Sequence, residues 1–176
     1  MTSSILTWIV AGVLLFWTVG AYNRLVRLRY EVNTAFGVLY AELQRQVQFV
    51  ESILPTDGPQ PQSGFWSSLQ GAASQLAASM TVARNRPLDP PTIAALAAAG
   101  DVLAMAWDRA EREDAHDMSG PRLPGGVPAS RAQLSAQVHA AVLQFNEAVQ
   151  RYNTAIAQFP AMLLAWVFGF KAGRAL

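Results

Sequence analysis

The 176-residue chain contains no cysteine, only two histidines, and charged side chains at 14% of positions. Without a thiol there is no disulfide framework, thiolate zinc site, iron–sulfur cluster or cysteine nucleophile. Thirteen basic side chains against twelve acidic ones leave a net charge of +1. Such a balance creates no global field for a phosphate backbone and argues against nucleic acid as a partner. His116 and His139 stand in no HxxxH or HExxH spacing. Neither a GxSxG elbow nor a phosphate-cradling GxxxxGK[ST] or GxGxxG loop is present. The acidic run Asp108, Glu111, Glu113, Asp114 and Asp117 is interleaved with Arg109 and Arg112. It does not follow the order of a calcium loop and reads as a solvated helix face. No catalytic residue, metal ligand or cofactor is therefore expected. Alternating Val/Ile/Thr runs are missing as well, and the periodic stretches are rich in alanine, so the expected fold class is all-α.

What the chain has in abundance is apolar surface, 52% of residues, enough for one domain plus something more apolar. From Met1 to Asn23 the only ionisable side chain is Tyr22, and Ile5 to Ala21 reads ILTWIVAGVLLFWTVGA. That is about the seventeen residues a membrane-spanning helix minimally needs. The segment predicts an N-terminal anchor over residues 1–23, spanning about 5–22, with Ile5, Trp8, Leu14, Phe16, Trp17 and Tyr22 in contact with lipid. Trp8, Trp17 and Tyr22 lie in its outer thirds, where amphipathic rings favour the headgroup level. Arg24, Arg27 and Arg29 follow at once and nothing basic precedes, so the N-terminus is expected outside and the body in the cytoplasm. Val19-Gly20-Ala21 resembles a signal-peptidase site, but a signal peptide carries its positive charge before the apolar core.

Beyond Arg24 the apolar positions Leu25, Leu28, Val32, Phe36, Leu39, Leu43, Val47, Val50 and Leu54 recur at steps of three and four. One helix face is apolar, and no breaker separates it from the anchor, so a single rod from about residue 5 to 54 is expected. The bundle is expected over 24–160, with loops near 55–64, 86–91 and 118–129. Phe65, Leu69, Ala72, Leu76, Met80 and Ala83 mark a second helix. The third starts at Asp89, an N-cap followed by proline, and carries Ile93, Leu96, Val102, Leu103, Ala106 and Ala110. Gly100-Asp101 is expected to kink or split it. Ser130 and Gln133 form a capping box for a fourth helix through Leu134, Val138, Ala141, Phe145, Val149, Tyr152, Ile156 and Phe159, ending at Pro160. About four helices in an antiparallel bundle follow from these lengths. The tail 161–176 is apolar until Lys171 and too short to span. Two readings compete: docking on the bundle, or a monotopic segment in which Leu163, Leu164, Trp166 and Phe168 dip into the interface with Lys171 and Arg174 at the headgroups.

Two stretches carry a family likeness. Tyr22-Asn23-Arg24-Leu25-Val26 follows the apolar segment directly, with Phe36 further on. Far downstream come Phe145-Asn146, Val149, Tyr152-Asn153, Phe159-Pro160 and a terminal Gly169-Phe170. The combination resembles the LemA family of bacterial membrane-anchored helical proteins over about a third of the chain. Where members carry Ile-Pro-Asn-Leu, this chain reads Val50-Glu51-Ser52-Ile53. Ala161 and Met162 replace the asparagines that members favour after FP, and a Tyr-Pro-x-Leu-Lys motif is missing. The resemblance implies a long antiparallel bundle with one N-terminal anchor in the bacterial cytoplasmic membrane, no enzymatic activity, and a link to membrane organisation. In the paired aromatic–asparagine motifs, seven residues apart, an asparagine beside a buried ring can set helix register by bonding to a partner helix. The expected partners are the lipid bilayer, further copies of the chain in a homo-oligomer, and alternatively another membrane protein such as a protease or receptor for which the chain is an adaptor.

Overall fold

A computed structural model describes residues 2–54, 64–116 and 123–176, with side chains described except at residues 2–7, Val10 and Phe65. The expectations for Ile5, Phe65, Asp117 and most of two loops lie outside that set. Among the described residues there are five helices and no strand: α1 (Thr2–Ile53), α2 (Gly64–Asn85), α3 (Pro90–His116), α4 (Val127–Ala157) and α5 (Ala161–Phe168). At 1.5 Å per residue the 52 residues of α1 make a rod of about 78 Å.

The first four helices run alternately up and down. Phe36 meets the ring of Phe145 edge-on at 5.7 Å, pairing α1 with α4, and Arg84 of α2 lies over the ring of Tyr40 at 5.4 Å. At the far end Phe49 of α1 stacks with Trp107 of α3 at 6.0 Å. The core follows the stripes read from the sequence except at Phe159, which the spacing puts at the end of the α4 stripe but which lies past the helix end at Ala157 and is 67% exposed. Leu25, Leu28, Val32, Phe36, Leu39, Leu43, Val47 and Val50 are all buried, as are Leu69, Leu76 and Met80 of α2, Ile93, Leu96 and Leu103 of α3, and Phe145, Val149 and Tyr152 of α4. No charged or polar side chain is buried among the described residues. The wide alanine content of α2 and α3 lets these two helices pack closely, with Ala72, Ala73, Ala83, Ala99, Ala106 and Ala110 at their buried faces.

Helix boundaries follow local chemistry, with three departures from the spacing argument. Asp89 caps α3 as expected: its carboxylate accepts from the Thr92 N–H at 3.3 Å and from the Thr92 hydroxyl, and Pro90 is the first helical residue. However, α3 passes through Gly100 unbroken. Its flanking residues Ala99 and Leu103 are buried, and packing there offsets the roughly 1 kcal/mol that glycine costs relative to alanine. Next, α4 starts three residues before Ser130. Gly126, at φ 88°, is the N-cap, and Pro128 occupies the first turn, where its missing N–H is no loss. Ser130 is already helical, with its N–H bonded to the Gly126 carbonyl at 3.1 Å. Finally, the chain forms a fifth helix after Phe159-Pro160 where the sequence left a tail of undecided form.

Candidate functional site

The two halves of α1 differ in environment. Residues 25–50 bury one stripe against the bundle, whereas residues 8–22 project beyond α2 and α3 and carry apolar side chains on every side. Trp8 is 77% exposed and Phe16 83%, and Leu14, Leu15, Trp17 and Val19 are exposed as well. Among the described residues α3 is the one helix whose length and composition would let it cross a bilayer. Its Ile93, Leu96, Leu103, Ala106 and Trp107 face is turned into the core, as in a bundle helix of ordinary kind.

Beside the projecting half of α1 lies α5. Its eight residues are apolar throughout, Ala165 alone is buried, and Trp166 is 85% exposed. Three ring contacts tie it and its flanks to α1: Trp17 with Phe159 at 5.5 Å, Tyr22 with Phe168 at 5.2 Å, and Tyr22 with Phe170 at 6.2 Å. Gly169 closes the helix in the left-handed conformation at φ 69°, which a side chain would resist. With the Phe170 N–H bonded back to the Ala165 carbonyl at 2.9 Å, the chain reverses direction. Leu163 is exposed and Leu164 half-buried against the core. Apolar groups of α5 thus sit beside residues 17–22 of α1, the exposed apolar residues 8–16 continue from there away from the bundle, and Arg24, Arg27 and Arg29 follow on the next turns of α1.

The segment after Gly169 does not continue beside α5. It runs back along the bundle, antiparallel to α4, and meets the two motif asparagines. The Gly173 N–H donates to Asn153 Oδ1 at 2.9 Å, and Asn153 Nδ2 donates to the Gly173 carbonyl at 2.8 Å. Asn146 treats Leu176 in the same way, at 2.8 and 2.9 Å. Register-setting between helices, the role expected for these asparagines, is therefore replaced by recognition of a main chain. The reason is geometric: both amides stand at the edge of the buried stripe, half-buried, where no neighbouring helix presents free backbone groups but an extended segment does. Arg174 travels with this segment and lies along α4, away from α5.

The remaining motif residues take ordinary positions. Phe145, Val149 and Tyr152 are core; Leu25 and Phe36 are core; Asn23 and Val26 are exposed on α1, and Tyr22 supports α5 and Phe170. Burial raises the pKa of the Tyr152 phenol, against the opposing pull of the Arg29 charge. At the opposite end Arg131 of α4 reaches Asp108 at 2.9 Å and Glu111 at 2.6 Å, with its guanidinium 5.6 Å from the centre of the Trp107 ring. Desolvation would lower its pKa, yet the bonds to Glu111 and Asp108 outweigh this and raise it. The Leu123 N–H donates to Asp114 at 2.8 Å, so part of the acidic run pins α3 to the start of the next segment. Among the described residues no group of three or more His, Asp or Glu side chains is placed to hold a metal. An open cleft of about 630 Å³ is lined by Arg29, Asn33, Tyr40, Gln44, Arg84 and Asn85.

No family model, curated protein or solved structure matches the chain. What the protein does must be argued from its own surfaces. Sequence reasoning missed Gly173 and Leu176 altogether. The signal available was the three-residue step Phe170, Gly173, Leu176 in a segment with no helical pattern, which places every third side chain inward on an extended chain.

Proposed function

We propose that this protein is a non-enzymatic membrane scaffold: anchored in the bacterial cytoplasmic membrane by the first part of α1, N-terminus outside and bundle in the cytoplasm, it self-assembles and organises or shapes the bilayer. The LemA resemblance of its motif residues belongs to the same reading. The observation that carries it is the run of exposed apolar groups on the first part of α1, joined at residues 17–22 by those of α5. Trp8, Ile9, Val13, Leu14, Leu15 and Phe16 on α1, and Met162, Leu163, Trp166, Val167 and Phe168 on α5, are all solvent-exposed when the bundle stands alone. A contiguous apolar surface of that size is unfavourable in water and is matched by hydrocarbon or by another protein. The arginines at 24, 27 and 29 start where the apolar half ends, as expected at the cytoplasmic face. In this arrangement α1 spans, and α5 lies along the interface with Trp166 directed to lipid and Lys171 near the headgroups.

Extraction of membranes with alkaline carbonate tests the anchor: the full-length chain is expected to stay in the pellet. Release into the supernatant, or a mature chain beginning at Tyr22, would overturn the reading. Electron microscopy of the purified chain in detergent and in lipid tests assembly, with large particles or deformed vesicles expected and a strictly monomeric extract counting against it.

A further inference from the structure

The groove that holds residues 170–176 is built as a peptide site. Asn146 and Asn153 are seven residues apart on α4, about 10.5 Å along the axis. Three residues of extended chain cover about 9–10 Å. The match lets each side-chain amide pair with both the N–H and the carbonyl of one tail residue, Gly173 and then Leu176, with four bonds of 2.8–2.9 Å. Side-chain selection is added at the same two positions. A Cβ at residue 173 would come within 2.5 Å of Leu88 Cδ2, the free end of a half-buried side chain that can turn away, and lie 3.4 Å from Val149 Cγ1, so the position suits a small residue without demanding glycine. Leu176 packs half-buried against the core and lines a cavity of about 200 Å³ with Leu39, Leu43, Leu76, Leu96 and Val142, drawn from all four main helices. The residues between, Lys171, Ala172, Arg174 and Ala175, face outward. The groove thus holds the main chain of an extended segment at two places, with a small residue at the first and an aliphatic side chain three residues later.

None of these contacts requires the segment to belong to the same chain. The element that leads to it, α5, has one buried residue in eight, so swinging it out disrupts little of the core. From Ala157 to Gly173 the chain can reach about 40 Å, taking the eight residues of α5 as helix and the rest as extended. Two bundles in contact stand about 20 Å apart at helix-pair dimensions. Copies held in one bilayer by α1 share the same height, so a neighbour's tail arrives level with Asn153 and then Asn146. Exchange of an identical element costs no new interface design. We propose that in assemblies this groove takes residues 170–176 of a second copy, linking neighbouring bundles through their tails. The proposal rests on the anchored, self-assembling reading above.

Because the chain has no cysteine, the exchange can be trapped cleanly. Two N-terminally tagged full-length variants are co-expressed, one carrying Val142→Cys and the other Leu176→Cys, and membranes are treated with a short bismaleimide. A covalent dimer bearing both tags is expected, and it should fall at least tenfold when Asn146→Ala and Asn153→Ala are added to the Val142→Cys copy. A dimer that survives those two substitutions overturns recognition by the groove. If the single chain with both cysteines closes only on itself and the mixed population gives no two-tag dimer, exchange is overturned. Native gels of the unmodified chain separate the two ideas: oligomers without the two-tag dimer sink tail exchange and leave assembly standing, whereas a strict monomer sinks both.

Discussion

The two halves of α1 are one continuous helix with the same backbone, yet they obey different rules. Between Leu25 and Val50 the apolar residues recur at three and four, and the positions between them, Arg27, Glu31, Glu42 and Arg45, are charged and engaged in exposed ion pairs. Between Trp8 and Tyr22 there is no polar face at all, and the large side chains point in every direction. A stripe implies a solvent on one side and protein on the other; an apolar circumference implies an apolar surrounding. The comparison teaches that hydrophobicity alone does not tell what a helix packs on. Periodicity does.

Substitutions can break that contrast, beginning with the largest effect. Leu39→Ala in the striped half, fully buried at the centre of the bundle, is expected to cost about 2–5 kcal/mol of bundle stability. Leu14→Ala in the other half should leave denaturant unfolding of the bundle unchanged, and equal losses would abolish the distinction. Under the anchoring proposed above, Leu15→Arg places a charge in the apolar half and makes insertion less favourable by about 3 kcal/mol. Reduced retention in carbonate-washed membranes, with an unaltered helical circular dichroism signal, is the expected outcome. Asn153→Ala leaves the Gly173 peptide groups without their partner and should cost about 1–3 kcal/mol, visible as faster amide hydrogen exchange at residues 173–176.

A pH experiment sharpens the same contrast from the striped half. Tyr152 of α4 is buried in the core that this half packs into, and its folded pKa is raised by that burial. Unfolded tyrosine ionises first, at about pH 10, so the folded state binds more protons above that pH and stability falls as pH rises. Below pH 10 the contribution is fully present. Denaturation midpoints measured between pH 9 and 11 should decline for the natural chain, and less so for Tyr152→Phe. The smallest effect is expected at the far end, where Arg131→Ala removes partly exposed pairs with Asp108 and Glu111 worth about 1 kcal/mol.

Helix positions and core faces were legible because burial imprints a 3.6-residue period on the sequence, and because Asp89-Pro90 carries its own local geometry. The start of α4 was misread because Ser130 and Gln133 satisfy a capping pattern that the buried Val127 overrides by holding the helix one turn earlier. Gly100 was misread as a breaker for a similar reason. The docked tail could not be read at all in its pairing: Asn146 and Asn153 are thirty and twenty residues from their partners, and hydrogen bonds over such distances leave no periodic trace.

By itself the sequence determined the all-helical class, the apolar character of residues 5–21, the stripes that close the bundle and the absence of residues for thiol chemistry. These follow from composition and near-neighbour spacing, which act within a turn or two of chain. The tertiary structure decided where α5 lies, that the asparagines hold a main chain instead of a helix, and that Gly173 and Leu176 matter. Those outcomes depend on how four helices bring distant residues to one height, and only the packed bundle sets that height.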